Sequence, residues 1–134
     1  LAEDAAIRAI GRAILFPGVA DTLERLKAMG AELYIASTGS PAHVTAVLEA
    51  SGLGPLFTRL CCGKPRKIEM VRTIIKQNDP SLFIMVGDRR FDAEAAGRNG
   101  IHSVGASYGY CAEKDYDLFD EIISRPEALV AMAS

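Results

Sequence analysis

Phe83-Ile84-Met85-Val86 is a run of four consecutive apolar residues without polar alternation, and Gly87 closes it. A strand this uniformly apolar is buried on both faces, which demands a parallel sheet with helices packed on either side. Asp88 then falls at the strand's C-terminal tip, and Asp92 follows four residues later. The Ala-rich run Ala93-Glu94-Ala95-Ala96 predicts a helix that holds Asp92 in its first turn. Two carboxylates converging at the mouth of a sheet repel each other unless a divalent cation removes the cost. Hard oxygen ligands point to magnesium.

The rest of the chain alternates in the same way. Ala2 to Ile14 predicts a helix with Ala6, Ile7, Ile10, Ala13 and Ile14 on one stripe, broken by Pro17-Gly18. Val19 to Met29 predicts a second helix with Val19, Leu23, Leu26 and Met29 on its apolar face and Gly30 as its stop. Leu33-Tyr34-Ile35-Ala36 is a strand ending in the hydroxyl-rich turn Ser37-Thr38-Gly39-Ser40-Pro41. Ser40 reads as an N-cap and Pro41 as the first residue of a helix carrying Val44, Val47 and Leu48. Thr58 to Cys62 is a short strand ended by Gly63-Lys64-Pro65. A helix from about Lys67 to Gln77 buries Ile68, Val71, Ile74 and Ile75. After Asp92 a helix runs to Asn99-Gly100. Ile101 to Ala106 forms a strand, Glu121-Ile122-Ile123 a short edge strand, and Pro126 opens a last helix. This order predicts an α/β fold, a Rossmann-like doubly wound parallel sheet.

Composition narrows the class of function. The chain has 134 residues, one domain's worth, and 49% of them are hydrophobic. A net charge of -2 gives no reason to expect nucleic acid as a partner. No run is long and apolar enough to suggest a membrane span. The acidic, Ala-rich start Leu1-Ala2-Glu3-Asp4 does not read as a secretory signal. The three cysteines, Cys61, Cys62 and Cys111, are odd in number and lack C-x-x-C spacing. They read as reduced thiols of a cytoplasmic protein rather than as a zinc site or disulfide framework.

In an open parallel sheet, ligands bind beyond the carboxyl ends of the strands. Three such ends carry chemistry: Ser37 and Thr38, then Lys64, then Asp88 and Asp92. Hydroxyls and turn amides donate to phosphate oxygens. An ammonium neutralises charge on a transferring phosphoryl group, and carboxylates hold the bridging metal. Singly, each has a plainer explanation: a cap, a solvated Lys-Pro turn, an Asp that forms a turn. Jointly they describe a site for a phosphorylated ligand.

The ordered set resembles the haloacid dehalogenase-like hydrolases, especially their phosphoglycolate phosphatase-like branch. Phe16-Pro17-Gly18-Val19 is similar to the segment that re-enters the core domain, and Leu33 to Ser40 to the second motif. Gly63-Lys64-Pro65 is similar to the third motif, Gly87-Asp88 to Asp92 to the fourth, and Gly105 to Tyr110 to the turn that follows. The resemblance implies that Ser37 and the Thr38 amide bind the phosphoryl group. It implies that Lys64 stabilises its charge and the nucleophile, that Asp88 ligates Mg2+ directly, and that Asp92 holds it directly or through water. Where the family often has a small polar residue after Gly-Asp, Arg89-Arg90 stand here, read as surface charges.

The family's first motif, Asp-x-Asp-x-Thr at the tip of the central strand, has no counterpart before Pro17. The expectation is therefore an incomplete core that lacks its first, central strand and, with it, the nucleophile and general acid. Residues 1–14 are expected to be a remnant of the cap or a connecting helix, and residues 15–134 the C-terminal part of the core. The chain is read as a fragment of a magnesium-dependent phosphatase of small phosphorylated substrates, inactive by itself, with the nucleophile upstream. The alternatives are a short protein that binds phosphorylated ligands without hydrolysis, a receiver-like module, a 2-haloacid dehalogenase, or a second chain supplying the strand. Exposed strand edges add the expectation of a homo-oligomer or strand exchange.

Overall fold

The computed structural model describes residues 2–3, 18–63, 66–109 and 111–133. Two three-stranded parallel sheets form the centre. The first contains β1 (Ala2–Glu3), β2 (Leu33–Ser37) and β3 (Phe57–Cys62), with β2 in the middle. The second contains β4 (Ile84–Gly87), β5 (His102–Ala106) and β6 (Glu121–Ile123), with β5 in the middle. Five α-helices accompany them among the described residues: α1 (Val19–Ala28), α2 (Pro41–Ser51), α3 (Lys67–Ile75), α4 (Arg90–Arg98) and α5 (Ala128–Ala133).

Register brings the strand ends level. Ser37 pairs with Cys62 in the first sheet, and Gly87 with Gly105 in the second. The turns that leave β2, β3 and β4 therefore emerge on one edge, where a parallel sheet presents its ligands.

Both faces are covered, as the unbroken apolar runs require. Leu33 and Ile35 point into a core with Val19, Leu23 and Leu26 of α1 and with Val44 and Leu48 of α2. Ala36, next after Ile35 in the alternation, packs on the other face with Cys61, Met85 and the α3 and α4 residues Val71, Ile74, Ala95 and Ala96. Val86 turns back to the first face, beside Val104, Ile123 and the partly buried Leu129 of α5. Local signals set the helix ends. Ser40 Oγ accepts from His43 N at 3.2 Å and Pro41 opens α2. Gly52 caps its end at φ 73°.

Two expectations are corrected. Ala2–Glu3 is extended and pairs in parallel with Ile35 and Ala36, whereas its alanine-rich composition predicts helix. Strand pairing with β2 outweighs that weak propensity; the helical stripe from Ala6 to Ile14 lies outside the described residues. Met29 is 44% exposed because α1 has already ended at Ala28. Lys67, the first residue of α3, is itself buried.

β1 lies close to β4, but no ladder joins them among the described residues. Among the described residues the two half-sheets thus have only the two residues of β1 near both of them.

Candidate active site

Asp88 and Asp92 are each 1% exposed at the end of β4. The approach of α4 explains how they come together. Gly87 has no side chain, and a Cβ there would stand 2.3 Å from Asp92 Cβ and 2.5 Å from Asp92 Oδ2. Only glycine lets the first turn of α4 settle against the strand. Asp92, the third residue of the helix, then reaches back. Its Oδ2 accepts from the backbone N–H groups of Asp88 and Arg89, both at 3.1 Å. This side-chain cap, with Asp92 N donating to the Arg89 carbonyl oxygen at 2.9 Å, fixes the turn that carries Asp88.

The other carboxylate oxygen, Asp92 Oδ1, accepts from Lys67 Nζ at 2.7 Å, and the two side chains are 1% and 5% exposed. A buried charge is tolerated when paired and hydrogen-bonded, and Asp92 is both. Lys67 is the functional candidate that sequence reasoning missed. The available signal was its place at the first helical position after a strand end, on the stripe that continues through Val71 and Ile74.

Ser37 lies at the end of β2 and is 4% exposed, while Thr38 is exposed. Ser37 Oγ accepts from Gly39 N at 3.0 Å, which leaves its O–H proton to donate. Ser37 carbonyl oxygen accepts from Gly63 N at 3.2 Å. The turn after β3 thus starts on Ser37, and by Lys67 the chain has reached Asp92. The three strand ends singled out in the sequence meet through this short connection. Lys64 itself lies outside the described residues.

A second turn covers the site. Gly109 approaches so closely that a Cβ would stand 3.0 Å from Asp88 Oδ2 and 3.2 Å from Asp88 Cβ. Cys111 follows two residues later. Burial pushes its thiol above the ordinary range, and the negative charges of Asp115, Asp88 and Asp92 push it further. Cys62 is raised too, by burial and then by Cys61, as a structural thiol would be. All three cysteines are free.

Magnesium binds through one or two carboxylates and fills its shell with water and substrate phosphate. Asp88 suits that role: a buried carboxylate where strand ends converge. Asp92 offers less, since Oδ2 holds two amides and Oδ1 holds the ammonium. Among the described residues no group of three or more His, Cys, Asp or Glu could hold a metal. The donor set present is one part of a magnesium shell.

The histidines take no part. His43 is exposed on the first turn of α2. His102 bonds Glu121 across β5 and β6 at 2.5 Å, at the opposite end of the sheet from Asp88. Arg89 and Arg90 are exposed, and Arg90 lies over the Phe91 ring at 5.7 Å.

Residues 2–100 match the family model of the haloacid dehalogenase-like hydrolases. The chain belongs to that family. It is 32% identical over 100 residues to the phosphoglycolate phosphatase of Synechococcus elongatus, covering 72% of this chain and 47% of that protein. It is 33% identical over 111 residues to the Escherichia coli phosphoglycolate phosphatase, covering 78% of this chain and 44% of that one. The chain spans about half the length of the curated relatives it matches. A predicted phosphoglycolate phosphatase from Haemophilus somnus superposes with a TM-score of 0.78 at 27% identity, over 89% of this chain and 57% of that one. A haloacid dehalogenase-like protein from Streptococcus pneumoniae gives 0.81 at 23% identity, over 89% and 60%, and confirms the fold. The Rossmann-like α/β reading and the phosphoglycolate phosphatase-like branch both hold. No helix among the described residues is long and apolar enough to cross a membrane.

Proposed function

We propose that this hydrolase chain is the C-terminal core portion of a magnesium-dependent phosphatase of small phosphomonoesters. Phosphoglycolate is one candidate substrate, from the names of the relatives. The observation that carries the reading is the connection from Ser37 through Gly63 to Lys67 and Asp92, which brings a hydroxyl, an ammonium and two carboxylates to one sheet edge.

In this reading Ser37 donates its O–H to a phosphoryl oxygen, and the Thr38 amide adds a second donor. Lys67 supplies positive charge beside the phosphoryl group, held by Asp92. Lys64 is the second candidate for that charge. Asp88 holds the cation, which supplies Lewis-acid polarisation of the phosphoryl oxygens. Asp92 serves chiefly to position Lys67 and the Asp88 backbone. The attacking carboxylate of an aspartyl-phosphate route comes from outside these 134 residues. The free thiols favour a reducing compartment such as the cytoplasm.

The test is an assay of this chain with p-nitrophenyl phosphate and with 2-phosphoglycolate, each with Mg2+, beside calorimetric titration with inorganic phosphate. The expected result is no turnover, with phosphate binding that requires Mg2+ and is lost in Asp88→Asn. Robust turnover would place the nucleophile within the chain. Binding indifferent to both Mg2+ and Asp88→Asn would remove the site.

A further inference from the structure

The turn that leaves β5 is tied to both of its neighbours. Ser107 N–H and Ser107 Oγ–H both donate to the Ile123 carbonyl oxygen of β6, at 3.0 and 3.1 Å. Gly109 N–H donates to the Ala106 carbonyl oxygen at 3.1 Å and closes the turn on the end of β5. So anchored, the turn has little room to draw back. Its residue Gly109 faces the side chain of Asp88. A Cβ on Gly109 would stand 3.0 Å from Asp88 Oδ2, 3.2 Å from Asp88 Cβ and 3.4 Å from the Ala106 carbonyl oxygen.

Backbone conformation does not call for glycine here. Gly52 and Gly100 sit at positive φ, a region that Gly109 does not occupy. Alanine would fit the backbone, and what it would lack is space. That space lies against a carboxylate 1% exposed where the strands end. The Asp88 main chain is held in turn, since its N–H donates to Asp92 Oδ2 at 3.1 Å. With the turn and the main chain both fixed, a methyl group at Gly109 displaces the Asp88 carboxylate itself.

We propose that Gly109 is a positioning residue for the cation: its bare Cα leaves Asp88 the one orientation in which its carboxylate meets Mg2+. The proposal rests on the reading of Asp88 as the magnesium ligand. A relaxed contact needs about 3.5 Å, so an alanine Cβ pushes Oδ2 aside by about 0.5 Å. Mg2+ takes oxygens only at about 2.0–2.1 Å in near-octahedral geometry, whereas Ca2+ takes them at about 2.3–2.6 Å in a flexible shell. A shift of that size therefore weakens Mg2+ more than Ca2+. Gly109 sets which cation the site prefers, without touching the cation.

The experiment uses the whole chain as wild type, Gly109→Ala, Asp88→Asn and Gly97→Ala, the last adding a methyl group that meets nothing within 4 Å. Electron paramagnetic resonance of unbound Mn2+ gives the affinity for that ion. Displacement by Mg2+ and by Ca2+ gives theirs, and metal-free urea denaturation checks the fold. Asp88→Asn is expected to abolish Mn2+ binding, and Gly97→Ala to leave all three affinities within about twofold of wild type. Gly109→Ala is expected to bind Mg2+ at least about fivefold more weakly and Ca2+ within about twofold of wild type. A merely structural role would lower both together. Unchanged Mg2+ affinity in Gly109→Ala, or equal loss of both cations, with or without loss of the urea transition, would overturn the role of Gly109. The cation site would survive that result if wild type binds Mn2+ and Asp88→Asn does not. Mn2+ binding that persists in Asp88→Asn, or none in wild type, would overturn the cation site and the role of Gly109 with it.

Discussion

Replacing Lys67 by Met removes one half of a buried ion pair while keeping most of the side chain's apolar volume. The pair is 2.7 Å long, and its side chains are 5% and 1% exposed. Breaking a buried pair from one side costs about 3–5 kcal/mol, because the remaining charge stays desolvated. Asp92 keeps its two amide donors, so the lower end, about 3 kcal/mol, applies. With a urea m-value of about 2 kcal/mol/M, the unfolding midpoint falls by about 1.5 M. Urea denaturation of wild type, Lys67→Met, Asp92→Asn and the double variant forms a complete cycle. The account expects strong non-additivity, with the double variant far less destabilised than the sum of the singles. A loss below about 0.5 kcal/mol in Lys67→Met, or simple additivity, would refute the claim that this pair anchors α3 to α4. Lys67→Arg is expected to recover only part of the loss, since a planar guanidinium cannot replace a compact ammonium at one oxygen.

Two further outcomes follow from the site's geometry. Gly87→Ala forces the added Cβ into Asp92, 2.3 Å away, and should cost about 1–3 kcal/mol in the same urea assay while weakening Mg2+-dependent phosphate binding; unchanged stability would contradict the packing. Burial and the Asp115, Asp88 and Asp92 charges raise the Cys111 thiol, so at pH 8 its thiolate fraction is below that of a free cysteine and it alkylates slowly. Stability falls as pH rises through the unfolded thiol's range toward the raised folded value, because only the unfolded chain then releases its proton. A cation at Asp88 cancels part of that field, so Mg2+ should speed alkylation of the Cys111 peptide measured by mass spectrometry. No change, or slower reaction, would count against a cation there.

How much of this was legible depends on how local the signals are. Leu33 to Ala36 and Phe83 to Val86 announce strands because both faces of a parallel sheet are dry. Ser40-Pro41 and Gly52 mark the ends of α2 within a few residues of themselves. Asp88 and Asp92 could be paired from spacing, since a tight turn after Gly87 leaves them few alternatives. Lys67 could not. A lysine opening an amphipathic helix ordinarily reaches water, and its partner Asp92 lies 25 residues away. The sequence reads Asp92 as a magnesium ligand, directly or through water, and gives no sign of the partners its oxygens have in the fold, Lys67 and two amides. Ala2–Glu3 reads as helix because alanine favours helix. Its strand pairing depends on β2, more than 30 residues on, where propensity carries no information.

The central claim is that a phosphoryl group and a cation meet where β2, β3 and β4 end. Amide chemical-shift mapping of the 15N-labelled chain, titrated with inorganic phosphate in the presence of Mg2+, tests it most directly. The account predicts saturable shifts concentrated at 37–39, 66–68 and 87–89, absent without Mg2+. Shifts spread over the surface, or gathered at the His102–Glu121 end of the sheet, would contradict it.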